Sequence, residues 1–155
     1  MEGLSRALNY SFLLLKYRPR SRQEIIERLK RKKYPASVIE KVITSLEENN
    51  YINDKEFVRL YIASCLSRGW GRRRIDYALK KLGIAEDARE NASFDKQAFY
   101  ERLKELVEKK ISNKKRDKKT YQKIVRNLAA KGFSYEDITR ALEEADFTRH
   151  NNEAI

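Results

Sequence analysis

The sequence predicts an all-α protein: three tandem three-helix repeats forming an elongated array that can curve. Three observations carry that expectation: apolar residues recur at helical spacing, capping boxes stand at helix starts, and the chain matches itself at two offsets. Ile25, Ile26 and Leu29, then Ile39, Val42, Ile43 and Leu46, return every three or four residues, as one face of a helix does. Starts are marked by Ser21 with Glu24, by Asn53 with Glu56 and, in a weaker acidic form, by Ser134 with Asp137. In each pair a short polar side chain can accept a first-turn N–H, and an apolar run follows.

Sliding the chain on itself aligns Ile25, Leu29 and Tyr34 with Ile75, Leu79 and Ile84 at an offset of 50, while Ile39 meets Arg89 and the pattern breaks. At an offset of 99 the same positions meet Ile124, Leu128, Phe133 and Ile138, and Val42 and Ile43 meet Ala141 and Leu142. Ser21, Gly71 and Thr120 fall at the equivalent helix start. The first repeat, residues 1–53, therefore reads as helices over Leu4–Lys16, Ser21–Lys32 and Ala36–Asn49. The second, 54–94, reads as Asp54–Arg68, Arg72–Leu82 and a stunted Ala85–Asn91 in which Arg89 stands for the apolar residue. The third, 95–147, reads as Asp95–Ile111, Lys119–Lys131 and Tyr135–Ala145, with a Lys-rich insertion between the first two helices as its most mobile stretch. Residues 148–155 form a polar tail.

Composition narrows function before any motif does. The 155 residues hold 35 Lys and Arg against 23 Asp and Glu, a net charge of +12 that favours polyanionic partners, nucleic acid first. Five Gly and two Pro suit helices better than strands and turns. Cys65 is alone, so there is no disulfide framework and a reducing cytoplasm fits. Phe12 to Leu15 is too short an apolar run for a membrane span or a signal-peptide core. The single histidine, His150, lies in the tail, which excludes a His-based triad, and no metal cluster stands out. Gly69-Trp70-Gly71 completes neither a dinucleotide fingerprint nor a P-loop, and its glycines read as a tight turn and a cap. The expectation is a binding protein with no catalytic residue, no metal and no cofactor.

The charge is segregated. Residues 18–33, 68–81 and 109–119 carry net charges of +6, +5 and +6, more than the whole chain's total. The third helices are acidic, with Glu40, Glu47 and Glu48, then Glu86, Asp87 and Glu90, then Glu136, Asp137, Glu143 and Glu144. A helix-turn-helix reader would place such a helix against phosphates, so a polyanion is better held along a basic tract running across the repeats. Surface ion pairing between basic and acidic helices within a repeat is the other reading.

The sharpest constellation lies on the helix from Arg72. With Ile75 and Leu79 turned to the core, Arg73, Arg74, Tyr77, Lys80 and Lys81 face outward. Tyr77, one turn from both Arg73 and Lys81, either stacks on a base or packs on a neighbouring repeat. Arg68 extends the patch, and Trp70 reads as a buried staple at the turn. Lys114, Lys115, Arg116, Lys118 and Lys119 form either a phosphate-clamping arm or a solvated loop. Arg18 and Arg20 before the second helix are weaker candidates, and Arg22 beside them is placed by its wheel angle to pack locally.

These elements together resemble the RecX family of recombination regulators over about residues 4–147. Arg18-Pro19-Arg20-Ser21 with Glu24-Ile25 resembles the family's first-repeat signature, and Ile52-Asn53-Asp54 with Phe57 its entry into the second. Gly69-Trp70-Gly71 with Arg73, Arg74 and Ile75 resembles the central glycine-basic element, and Lys131-Gly132-Phe133-Ser134 the third-repeat turn. Arg72 stands where the family commonly has proline, and Lys33 and Asn50 stand where glycine is usual. The resemblance implies a cytoplasmic monomer acting in DNA recombination, repair and the SOS response. Its partners would be the RecA recombinase filament and single-stranded DNA, with double-stranded DNA as a further partner. On that filament it would restrain ATPase and strand exchange.

Overall fold

A computed structural model of the chain describes residues 2–148, so His150 and the rest of the tail from 149 lie outside the described residues. Among the described residues there are nine helices and no strand: α1 (Glu2–Tyr17), α2 (Arg22–Arg31), α3 (Ala36–Glu48), α4 (Asp54–Ser67), α5 (Arg72–Lys81), α6 (Glu86–Glu90), α7 (Lys96–Ile111), α8 (Lys118–Ala130) and α9 (Tyr135–Glu144). Each expected helix is present. The three cap residues act as their spacing predicts: Ser21 Oγ accepts from Glu24 N, Asn53 Oδ1 from Glu56 N and Ser134 Oγ from Asp137 N, each at 3.2 Å. α6 is indeed stunted and buries none of its residues, and Arg89 turns back to donate to the Ile84 carbonyl at 2.5 Å.

Helix ends are as local as helix starts. Lys33 and Asn50, the two positions where glycine is usual in the resembling family, have φ of 63° and 58°. They sit just past α2 and α3 in the left-handed conformation that closes a helix, which explains why glycine suits those places. Tyr34 N donates to Leu29 O at 3.2 Å across that turn, as a Schellman closure requires.

The packing groups the residues into two compact units. One comprises Met1–Tyr61 with Ala78–Ala92, the other Ile62–Tyr77 with Ser93–Ile155, so the division falls inside α4 and α5. In the first unit α1, α2 and α3 pack on one another around Ala7, Ile25, Leu29, Val42 and Leu46, each wholly buried. In the second, α9 packs on both α7 and α8, and Leu103, Leu128, Ile138 and Leu142 are wholly buried. Phe147, beyond the end of α9, is also buried and lies 5.8 Å ring to ring from Tyr121.

A repeated joint is visible within each unit. In the first, Ser21 at the start of α2 reaches the turn after α5, its hydroxyl donating to Leu82 O at 3.2 Å. In the second, Gly71 at the start of α5 reaches the turn after α8, its N–H donating to Lys131 O at 2.7 Å. The start of a second helix thus rests on the turn that follows the next repeat's second helix. Ser21 therefore does two things at once, capping α2 and satisfying a carbonyl of the next repeat, in a place where its side chain is fully buried. Ser21→Ala is expected to cost about 1–2 kcal/mol, read as a Tm lower by several degrees in a thermal melt. An unchanged Tm would show that neither bond matters.

Candidate nucleic-acid interface

α5 is the element whose placement decides the surface. Its first turn is held by the 131–133 turn: Gly71 N bonds Lys131 O, and Arg73 N bonds Gly132 O at 3.1 Å. Ile75 and Leu79 are fully buried, which turns Arg72, Arg73, Arg74, Tyr77, Lys80 and Lys81 to the exposed face, with Tyr77 60% exposed. The helical wheel and the structure therefore agree on which side chains solvent reaches.

The turn before α5 holds an arrangement that the sequence did not reveal. Trp70, expected as a buried staple, is half-buried, and the guanidinium groups of Arg74 and Arg68 lie 4.0 and 4.7 Å from its ring centroid. Arg68 also donates to Cys65 Sγ at 3.2 Å. Arg72, in the place of the family's usual proline, lies 4.7 Å over the Phe94 ring. Cation–π contact fixes where the planes of these arginines lie.

Within the Lys-rich insertion, Arg116 is engaged by the fold although it is exposed. Arg116 donates to Ala145 O at 3.3 Å and Asp146 O at 2.5 Å, and it lies 5.6 Å over Phe147. It therefore closes the C-terminal end of α9, where a cation is favoured by the helix dipole. Asp117 caps α8 by accepting from Thr120 N at 2.8 Å. The bonds from Thr120 hold its carboxyl below the usual aspartate range, with smaller help from Lys115 and Lys119. Arg116 and Asp117 thus tie the segment to α9 and α8, and Lys114, Lys115, Lys118 and Lys119 are exposed along it.

Arg18 and Arg20 are occupied within the fold. Arg18 Nη2 lies 2.7 Å and Arg20 Nη1 3.5 Å from Glu24 Oε2, and Arg20 Nε donates to Leu14 O at 3.4 Å. The Arg20 side chain is only 10% exposed, so it acts as a packed tie between α1 and α2 and not as a surface contact. Arg22, expected to pack towards the apolar side, is instead exposed and pairs with Glu47 at 2.7 Å, an ion pair between a basic and an acidic helix.

Lys110, on the last turn of α7, is a cation that the sequence reading did not single out. Burial and then the charges of Lys131, Lys114 and Lys123 press the Lys110 ammonium below the usual lysine range. Only the spacing of Lys123 and Lys131, two turns apart along α8, was readable beforehand.

Family models for the first, second and third three-helix domains of RecX match residues 7–46, 53–92 and 97–142. The regulatory protein RecX of Vibrio parahaemolyticus is 33% identical over 86% of this chain and 87% of its own length. That of Bacillus velezensis is 32% identical over 94% of this chain but 57% of its own length, so the chain spans little more than half of such longer relatives. The crystal structure of RecX from Lactobacillus salivarius superimposes with a TM-score of 0.83 at 26% identity, covering 94% of this chain and 97% of that one. A second RecX crystal structure, at 23% identity and a TM-score of 0.75, shares the fold over 93% of this chain and 71% of its own.

Proposed function

The chain belongs to the RecX family, and from that premise we propose that it is a non-catalytic regulator which binds the RecA–single-stranded DNA filament and restrains its ATPase and strand exchange. The observation that carries the reading is the exposed basic and aromatic face of α5, from Arg72 to Lys81, fixed at its start by backbone bonds to the 131–133 turn. A folded helix presenting Arg73, Arg74, Tyr77 and Lys80 can meet a polyanion without the ordering cost that a disordered basic segment would bear. Relatives named as regulatory proteins support a modulator that acts on another protein's activity. No helix of the described residues is long and apolar enough to cross a membrane, in keeping with a partner in solution.

The test is the DNA-dependent ATPase of the recombinase with the full chain added. A lowered rate, together with shorter or more slowly growing filaments, is expected. Unchanged ATPase and unchanged filament length would overturn the reading. The second reading, an autonomous nucleic-acid-binding protein, draws on the same basic face, and tight duplex binding without recombinase would favour it.

A further inference from the structure

We propose that the guanidinium groups of Arg68 and Arg74 held against the indole of Trp70, with Arg72 on Phe94, form a base-stacking platform for single-stranded nucleic acid. The inference deepens the filament reading, on which it rests for the source of the strand, by naming the residues that would meet the bases and the mode of contact.

The first observation is the set of cation–ring contacts. The guanidinium carbons of Arg74 and Arg68 lie 4.0 and 4.7 Å from the Trp70 ring centroid, and that of Arg72 lies 4.7 Å from the Phe94 ring centroid. Both rings are half-buried and all three arginines are exposed, so each cation is held on a ring while solvent still reaches it. None of the three forms a salt bridge among the described residues. A guanidinium is a flat, weakly hydrated group as well as a cation, and a nucleobase stacks on such a plane as it does on an aromatic ring. A base arriving here meets planar groups already ordered by the fold, so less side-chain freedom is lost on binding.

The second observation is that the turn bearing these groups is fixed and has an ammonium beside it. Gly69 N donates to Leu66 O at 2.9 Å and Trp70 N to Cys65 O at 3.0 Å, while Gly71 N donates to Lys131 O at 2.7 Å. Arg68 Nη2 donates to Cys65 Sγ at 3.2 Å, which ties one edge of its guanidinium to α4. The Lys131 Nζ stands 3.9 Å from where a Cβ on Gly69 would lie, against the same turn. The turn therefore offers planes for bases and a point charge for a phosphate next to them. A single strand presents both in alternation. A duplex hides its base faces in its own stack, and an acidic peptide carries carboxylates without a regular series of flat groups, so single-stranded nucleic acid is the best fit.

Trp70 is the chain's one tryptophan, so its fluorescence reports on the platform directly. The experiment titrates the full chain, without recombinase, with an oligothymidylate, with an abasic strand of the same length and with a duplex of the same length. The oligothymidylate is expected to quench Trp70 emission and to bind about tenfold more tightly than the abasic strand, which keeps the phosphates but has no base to stack. Equal affinity of the two single strands, or equal quenching by the duplex, would overturn the platform; this comparison uses the parent protein and stands whatever the stability of any variant. Arg68→Lys with Arg74→Lys keeps both charges and removes both planes. It is expected to weaken oligothymidylate binding about tenfold while leaving the slope of log affinity against log salt unchanged. Arg68→Gln with Arg74→Gln should also make that slope shallower by about 1.4. A lysine variant that binds the oligothymidylate as the parent does would mean that the arginines act as charges alone, and the platform would be wrong. Restraint of the recombinase is read separately. If restraint is present but oligothymidylate binding ignores the two arginines, the platform fails and the filament reading stands; if binding follows the arginines but restraint is absent, the reverse holds.

Discussion

Gly71→Ala is expected to lower Tm by about 10 °C, or to leave the second unit unfolded, because nothing at that contact can yield. A Cβ on Gly71 would lie 2.4 Å from the carbonyl carbon of Gly132, 2.5 Å from Phe133 N and 2.6 Å from Gly132 O, all of them backbone atoms. Gly132 is constrained from the other side: its φ is +103°, and a Cβ there would lie 2.5 Å from Arg74 N. Moving the two segments apart would break the bonds from Gly71 N to Lys131 O and from Arg73 N to Gly132 O. Two lost hydrogen bonds with strained or unsatisfied partners come to about 3–5 kcal/mol. Gly3→Ala is the natural comparison, since a Cβ at Gly3 meets nothing within 4 Å and alanine favours the helix. Circular dichroism melts of the two variants should diverge in sign. A Gly71→Ala protein with the parent Tm would mean that the turn can move as a body, and the account of how α5 is held would be wrong.

Replacing Arg73, Arg74 and Lys81 together by alanine is expected to raise the concentration needed for half-maximal restraint of the recombinase by about tenfold or more, with helix content intact. All three are exposed residues of α5, and alanine is a better helix former than either type, so the fold should tolerate the change. The contact of Arg74 with Trp70 at 4.0 Å is lost as well, at a cost on the order of 0.5–1 kcal/mol. A Tm within a few degrees of the parent therefore separates lost binding from lost folding. Full restraint by the triple variant would remove α5 from the interface.

Much of the helical plan was legible because its determinants are local. Helix α2 is expected over Ser21–Lys32 and found over Arg22–Arg31, and α7 over Asp95–Ile111 and found over Lys96–Ile111. A cap bond spans three residues and an apolar stripe repeats every three or four, so both are written in neighbouring letters. The same holds for the exposed face of α5, which follows once Ile75 and Leu79 are taken as buried. Short-range pattern is also why Arg89 marked α6 as the stunted helix.

What a side chain does with its charge was not legible in that way. Arg18, Arg20 and Arg116 read as members of basic tracts, yet Arg18 and Arg20 turn onto Glu24, and Arg116 caps α9 from 29 residues away. Lys110 and Lys131 lie 21 residues apart in sequence, so the charge that Lys131 sets on Lys110 follows from tertiary structure and not from local pattern. By itself, then, the sequence determined the helices, their caps, the threefold repeat and the excess of positive charge, because each follows from residues within a turn or two of one another. Tertiary structure alone decided which cations remain at the surface, which converge and which close the fold, and it alone brought Gly71 against Gly132. Those outcomes depend on contacts between distant segments, and no local pattern encodes the distance at which two such segments meet.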